Sequence, residues 1–390
     1  MRILLYDQPL RDHLLPLTFT RPLSGLRCGI LTLREKWEKR LPAEYHHLTA
    51  DYLSGLYPAV EEPDLVINAG VAATDDLAAA VEDLEAGQCL IKDEIIIAER
   101  TGGAGFTAWN PNAEKRQYQG EFSYITRPWH VFQYNGDELN RDFDLLTAGR
   151  TSVKPSSTNH IIGNRIFIEE GAQAEYATFN TTDAPVYLAK DALVMEGAMV
   201  RGGLALGEHS QLKMGAKIYG PTTIGPWSKV GGEVSNSVIQ GYSNKGHEGY
   251  LGNAVIGEWC NLGADTNNSN LKNNYDEIRV WSYVNQGFER TGLQFCGLLM
   301  GDHSKCGINT MFNTGTVVGV MCNIFGSGFP RTFIPSFSWG GAGGYSVYRF
   351  DKALDTARRV MARRNKQVSP EEIAMLEEVF KLTAEWRVKP

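Results

Sequence analysis

The chain has no excess of positive charge: its 390 residues carry 38 lysines and arginines against 45 aspartates and glutamates, a formal net charge of −7 at pH 7. That balance leaves no electrostatic footprint for nucleic acid, although a local basic pocket for a phosphate is compatible with it. No apolar run approaches the ~20 residues of a membrane span. The opening Met1-Arg2-Ile3-Leu4-Leu5-Tyr6-Asp7 reaches an acidic residue too soon for a secretory leader. Six cysteines show neither CxxC nor Cys/His ligand spacing; buried thiols in a reducing cytoplasm are the expectation, with neither membrane nor nucleic acid as a partner. With 43% hydrophobic and 21% charged residues the composition is that of a globular chain, and the length predicts two or three domains.

What the chain does have is a period of six. Leu188, Val194, Val200, Leu206, Leu212, Ile218, Ile224 and Val230 fall in one frame, and mostly small residues (Ala192, Ala198, Ser210, Ala216, Thr222, Ser228) stand two places before them. No helix or ordinary sheet repeats at six. Six residues making one flat face, with the aliphatic inward and the small residue near the corner, predict a parallel β-helix of triangular section. The frame returns at Met300, Cys306, Phe312, Val318 and Ile324. Residues 232–297 therefore read as an interruption of the solenoid, the place where binding residues are expected.

Residues 1–150 follow another pattern. Short apolar runs, Ile3-Leu4-Leu5-Tyr6, Leu65-Val66-Ile67-Asn68 and Ile95-Ile96-Ile97-Ala98, alternate with helical stretches such as 73–86, which predicts an α/β domain with a mostly parallel sheet. A Ser/Thr/Pro-rich stretch from Thr151 reads as a linker over 151–160. The solenoid is then expected over 161–345 and terminal helices over 346–390. The second of these opens with Ser369-Pro370-Glu371-Glu372, a cap followed by acidic residues at the positive helix end.

The most specific chemistry lies between 244 and 276. Gly246-His247, Tyr250, Ile256-Gly257, Asn261-x-Gly263-Ala264-x-Thr266 and Asn274-Tyr275-Asp276 follow one another inside the hexapeptide region. This succession resembles the acetyltransferase domain of the bacterial bifunctional N-acetylglucosamine-1-phosphate uridylyltransferase/glucosamine-1-phosphate acetyltransferase family. The resemblance covers roughly 160–330 and implies a left-handed parallel β-helix behind a nucleotidyltransferase-like, Rossmann-like domain, with C-terminal helices. It implies that His247 is a general base, taking a proton from an amino-sugar phosphate that attacks the thioester of acetyl-CoA; imidazole titrates near enough to neutral pH for that task. It further implies that Tyr250, Asn261 and Tyr275 contact the sugar phosphate, that Asn274 orders the site, that the Ala264 amide meets acetyl-CoA, and that the chain is a homotrimer. A lone histidine in a loop is more often merely solvated; the glycines around His247 and its place in a broken solenoid weigh the other way. His209 and His303 lack that setting and read as exposed repeat residues. Asn267, Asn268 and Asn270 read as a polar loop or an asparagine ladder.

Two departures separate the chain from that family. Ser235 and Asn236 stand where the pattern has consecutive lysines, so Lys245, Lys272 or Arg279 becomes the candidate phosphate cation. The N-terminal half has no Gly-x-Gly-Thr-Arg loop to cradle a nucleotide such as UTP; Leu17–Trp37 takes that place, and it resembles the divergent nucleotidyltransferase-like domain that precedes such β-helices in some bacteria. There Arg21 and Arg27 read equally as phosphate clamps or as ion-paired structural arginines. Asn68 occupies the position where an acidic residue would hold Mg²⁺. Three functions stay open: acetyl transfer to an amino-sugar phosphate with possible coupling to nucleotidyl transfer, nucleotidyl transfer alone, and a binding or regulatory homologue without chemistry.

Overall fold

A computed structural model describes residues 1–387 of the chain. The first half is a Rossmann-like sheet of six strands, β1 (Arg2–Tyr6), β2 (Glu44–Leu48), β3 (Leu65–Asn68), β4 (Gln88–Lys92), β5 (Ile95–Arg100) and β6 (Glu114–Gln117), in the order β2-β1-β3-β5-β4-β6. β1 runs parallel to both β2 and β3, and β5 is the reversed strand. Helices α1 (Leu33–Arg40) and α2 (Asp75–Glu82) each start at a threonine, Thr32 or Thr74, whose side chain accepts the N–H three residues on. α3 (His130–Gln133) and α4 (Asn135–Thr147) lead to the extended stretch before the solenoid.

From His160 the chain winds into a parallel β-solenoid with three faces of six, nine and ten strands. The aliphatics of the six-residue frame all point inward and are buried. The expected interruption at 232 is corrected: the coils continue. Paired residues are 18 apart from Met199 to Lys217, then 16 to Glu233 and 17 to Tyr250. Corners that lose one or two residues shift the frame while Val234, Ile239, Leu251, Ile256 and Leu262 still fill the interior. The true insertion follows Asn268 and contains the antiparallel hairpin Arg279–Ser282/Gly287–Arg290; Asn267 then pairs with Met311, 44 residues on. Asn267, Asn268 and Asn270 form no simple polar loop, since their amides hydrogen-bond Tyr250 N–H, the Gly252 backbone and Asn253.

One corner of each coil is held in the left-handed conformation by a non-glycine residue, including His209, Trp227, Tyr242, Trp259 and His303. Such φ values are disfavoured for bulky side chains; stacking between successive coils offsets them, with Tyr242 and Trp259 4.3 Å apart and His209 and Trp227 4.2 Å apart. His303 and His209 are thus corrected from exposed repeat residues to corner residues in aromatic columns. His303 is buried, and burial pushes its imidazole down to about 3. All six cysteines are free and buried.

The segment 17–37 joins the two halves. Arg27 N–H donates to Gln240 Oε1 (2.7 Å), Gln240 Nε2 returns a bond to Arg27 O (3.1 Å), and Thr223 Oγ1 donates to Gly29 O (2.9 Å). Beside it, Lys36 is fully buried with Nζ 2.9 Å from Glu138 and 2.6 Å from Asp142. α5 (Phe350–Ala362) and α6 (Pro370–Leu382) close the chain, α6 starting at the Ser369 capping box. Removing one member of a buried ion cluster costs more than the cluster itself contributes. We predict that Lys36→Met, which leaves Asp142 buried without a cation and Glu138 with Arg141 alone, lowers stability by ~3–5 kcal/mol at pH 7. Urea denaturation checks this, and an unchanged midpoint would remove Lys36 from the determinants of the fold.

Candidate active site

A groove of about 650 Å³ runs across the ten-stranded face and is overhung by α5. Parallel pairing puts Lys229, Asn244, Asn261 and Lys305 in one column, each a strand above the last. Successive strands are ~4.8 Å apart, so the column presents regularly spaced polar heads. Next to it Gly246 and Gly263 leave the floor free of side chains; a Cβ on Gly246 would meet nothing within 4 Å. A second, shallower depression of about 360 Å³ lies around the corner and shares Lys213, Gly246, His247 and Ala264 with the first.

His247 therefore stands on the rim between two depressions, in a turn that the sequence dictates locally. Gly249 has φ +113°, and a Cβ there would clash with the Thr266 carbonyl. Lys245 takes an inward position normally held by an aliphatic; its ammonium donates to the carbonyls of His247 (2.7 Å) and Gly231 (3.0 Å) and pins the turn. Burial pushes Lys245 down to about 8. The imidazole of His247 itself is exposed.

Of the sequence-derived candidates, His247, Asn261 and Ala264 converge on the groove. Lys245 is corrected: it is 2% exposed and bonded to backbone, so it offers no cation to a ligand. Tyr250 lies on the adjoining face, where its hydroxyl accepts from Asn270 Nδ2 (2.9 Å) and pairs with Ser235 Oγ (3.1 Å). Asn274, Tyr275 and Arg279 sit on the exposed insertion, outside both depressions. Lys272 is turned onto Glu277 O (2.6 Å). The sequence reading missed Lys213, Lys229, Lys305, Tyr242, Trp259, Arg363 and Arg364, which also line the groove. Only the coil lengths, read correctly, align Lys229 and Lys305 with Asn261.

In the N-terminal domain the topology brings the ends of β1 and β3 together at the point where strand order reverses, the usual place for a ligand in such sheets. A pocket of about 300 Å³ opens there, walled by Tyr6, Trp109 and Tyr124, with Glu94, Gln8 and Asn68 at its polar edge. Arg21 and Arg27 are corrected as phosphate clamps. Arg21 is buried and bonded to Asp302, with Glu258 3.2 Å away; Arg27 is turned onto Ile30 O and lies 3.5 Å from Glu35. Asn68 does not fit a Mg²⁺ site: its Nδ2 donates to Ile96 O (2.9 Å) and its Oδ1 accepts from Gly70 N–H (3.1 Å). Among the described residues no group of three His, Cys, Asp or Glu side chains is gathered to hold a metal.

Residues 3–151 match a family model described as sugar nucleotidyl transferase. The match covers the N-terminal sheet and its helices and leaves the solenoid outside it. Across more of the chain, a bifunctional sugar-1-phosphate nucleotidylyltransferase/acetyltransferase of Sulfurisphaera tokodaii is 26% identical over 311 residues, spanning 76% of this chain and 69% of that protein. Among solved structures, an Arabidopsis UDP-N-acetylglucosamine acyltransferase overlaps 60% of this chain and 99% of its own at 15% identity, with a TM-score of 0.21, too loose to carry a comparison of folds. The order of units in this chain is a region similar to sugar nucleotidyl transferases followed by a parallel β-solenoid, and its similarity to the bifunctional protein extends over both.

Asp7, directly after β1, ties segment 17–37 to the sheet by accepting Leu23 N–H (3.0 Å), and it also accepts Thr49 Oγ1–H (3.0 Å). Burial disfavours its charge more than those donors favour it, and raises it from 3.8 to about 6. Between these values the native state keeps a proton that the unfolded chain has released, so this group's contribution falls as pH rises through the window and stays low above it. Asp7→Asn is expected to flatten that fall and to gain on the order of 1–3 kcal/mol at pH 7 relative to pH 4. Denaturation midpoints from pH 4 to 7.5 test it; an identical pH slope in both proteins would refute the assignment.

Proposed function

We propose that the chain is a transferase of amino-sugar nucleotide synthesis, N-acetylating glucosamine 1-phosphate or a similar amino-sugar phosphate with acetyl-CoA on the solenoid. The single observation that carries this reading is the position of His247 on the rim shared by two depressions, with Asn261 and Ala264 beside it. The acetyl donor lies in the larger groove and the amine approaches from the shallower one. His247 takes the proton as the nitrogen attacks the thioester carbon; the C–N bond forms, the C–S bond breaks, and the thiolate leaves to pick up a proton. The Ala264 amide faces the developing oxyanion. Lys245 acts through the backbone by fixing the turn that carries His247.

The rest of the reading concerns context. The N-terminal domain couples a sugar 1-phosphate to a nucleotide such as UTP, as the family description supports. A second reading, in which this domain binds a sugar nucleotide without transferring, is favoured by the engagement of Arg21 and Arg27 within the protein and by Asn68. A homotrimer is supported by apolar residues on the corner that carries His247: Met214 and Ile308 are each 70% exposed. No helix among the described residues is long and apolar enough to cross a membrane, and a cytoplasmic location accords with the free cysteines.

Thiol release from acetyl-CoA with glucosamine 1-phosphate tests the proposal, with the product identified by mass. His247→Ala is expected to lower turnover by ~10²-fold or more while the fold is kept. Gly246→Val, whose side chain meets only open groove, is expected to raise KM for acetyl-CoA without loss of stability. A folded wild-type protein that turns over no amino-sugar phosphate would end the acetyltransferase reading.

A further inference from the structure

The pocket at the end of the N-terminal sheet carries charge of one sign only. Tyr6, Trp109 and Tyr124 wall it, Glu94 stands at its edge, and no lysine, arginine or histidine lines it. Tyr6 is held by the loop after β5: its ring meets Phe106 and Trp109 edge-on at 5.2 and 5.5 Å, and those two rings meet each other at 5.3 Å. The loop is tied back where Asn110 N–H donates to the Glu99 carboxylate (2.9 Å). Asn68 Nδ2 is spent on Ile96 O and the Tyr124 hydroxyl (3.3 Å). The Tyr124 O–H, the Gln8 amide and the Glu94 carboxylate are then the lining polar groups that bond to nothing else among the described residues. Glu94 is exposed in the two-residue turn between β4 and β5, where Asp93 takes φ +51° and Lys92 pairs with Ile95. A volume of about 300 Å³ lies at the lower limit of small-molecule pockets and has room for one ring rather than a whole sugar nucleotide. A phosphate placed here meets a carboxylate and no cation, whereas an ammonium meets a carboxylate and aromatic rings, both of which favour positive charge.

From this juxtaposition we infer that Glu94 is a specificity residue for a free amine: the pocket takes the ring of an amino sugar that is not yet N-acetylated, its ammonium on Glu94, its ring among Tyr6, Trp109 and Tyr124, and its phosphate end turned outward. The inference rests on the reading of this domain as a sugar-phosphate site and names the sugar it prefers. An N-acetyl group replaces the positive charge with a neutral amide and leaves the carboxylate without a counter-ion. Because Glu94 is exposed, water and salt screen the pair, and the discrimination is a few-fold rather than a hundred-fold. The N-terminal domain then engages the same class of compound that the solenoid acetylates, and competes for it instead of waiting for the acetylated product.

Fluorine NMR of the full chain labelled with fluorotryptophan reads this pocket apart from the solenoid, the Trp109 signal being assigned by its loss in Trp109→Phe. The labelled protein is titrated, without acetyl-CoA, with glucosamine 1-phosphate and with N-acetylglucosamine 1-phosphate, two probes that differ only at the nitrogen. Both should shift the Trp109 signal saturably, with glucosamine 1-phosphate binding ~3- to 5-fold more tightly, a preference that added salt reduces. Glu94→Gln, a change in an exposed turn that keeps the fold by circular dichroism, should bring the two to parity, mainly by weakening the amine. Equal affinities in the wild type, or a preference unchanged in Glu94→Gln, would overturn the role of Glu94 and leave the domain a sugar-phosphate site. A shift with uridine and with neither sugar phosphate, or no shift with any of the three, would overturn both the inference and the reading it rests on. Thiol release from acetyl-CoA judges the solenoid separately, so an amine preference at Trp109 stands whether or not acetylation is found.

Discussion

Each coil of the solenoid must return to the same place above the one before it, and almost everything functional in this molecule follows from that closure. Parallel pairing stacks equivalent residues one strand apart, so a side chain at a given point of one coil has a neighbour at the same point of the next. Inward, the stacking gives a column of buried aliphatics. Outward, it gives the line of Lys229, Asn244, Asn261 and Lys305 and the side-chain-free strip beside it. A groove of fixed width is the geometrical result. The catalytic candidate is then placed by a corner turn, whose conformation is secured by Gly249 from outside and by the Lys245 ammonium from within.

The same economy of position governs the join between the halves. Where a glycine-rich loop would expose its amides to a nucleotide, segment 17–37 turns its polar groups onto Asp302, Gln240 and Thr223 of the solenoid. Burial of Arg21 between Asp302 and Glu258 is sustainable because both carboxylates are fixed by coil geometry, Asp302 also accepting Glu258 N–H (2.8 Å). Guanidinium groups that look available in a sequence are, in this fold, the fasteners of an interface.

The architecture was legible because its signal is periodic: six-residue spacing admits few folds, and the alternation of the first half, the Ser369 cap and the terminal helices appear where the sequence puts them. The meeting of His247, Asn261 and Ala264 in one groove was legible because they lie close in sequence and on adjacent coils. What was not legible depends on the length of individual coils. A corner shortened by two residues before Glu233 shifts the frame, so an unbroken solenoid reads as an interruption and Lys245 reads as a loop cation instead of an inward residue. The roles of Arg21 and Arg27 were undecidable for another reason: the partners of Arg21 lie more than two hundred residues away, that of Arg27 lies in the first turn of α1, and no local pattern announces either ion pair. The lysines and arginines of the groove were hidden likewise, since they come from coils and a helix that meet only after the chain has closed.

That closure joins the two ends of the molecule. Met375, Leu376 and Val379 of α6 belong to the same buried cluster as Leu53, Ile3 and Leu65 of the N-terminal domain, and Gly55 lies against Glu371. α5, which roofs the groove, is thus suspended between the solenoid beneath it and, through α6, the sheet that opens the chain. The roof stands on two footings, Phe337 of the solenoid under Phe350 and the first domain under α6, and the opening sheet becomes part of the frame that spans the groove.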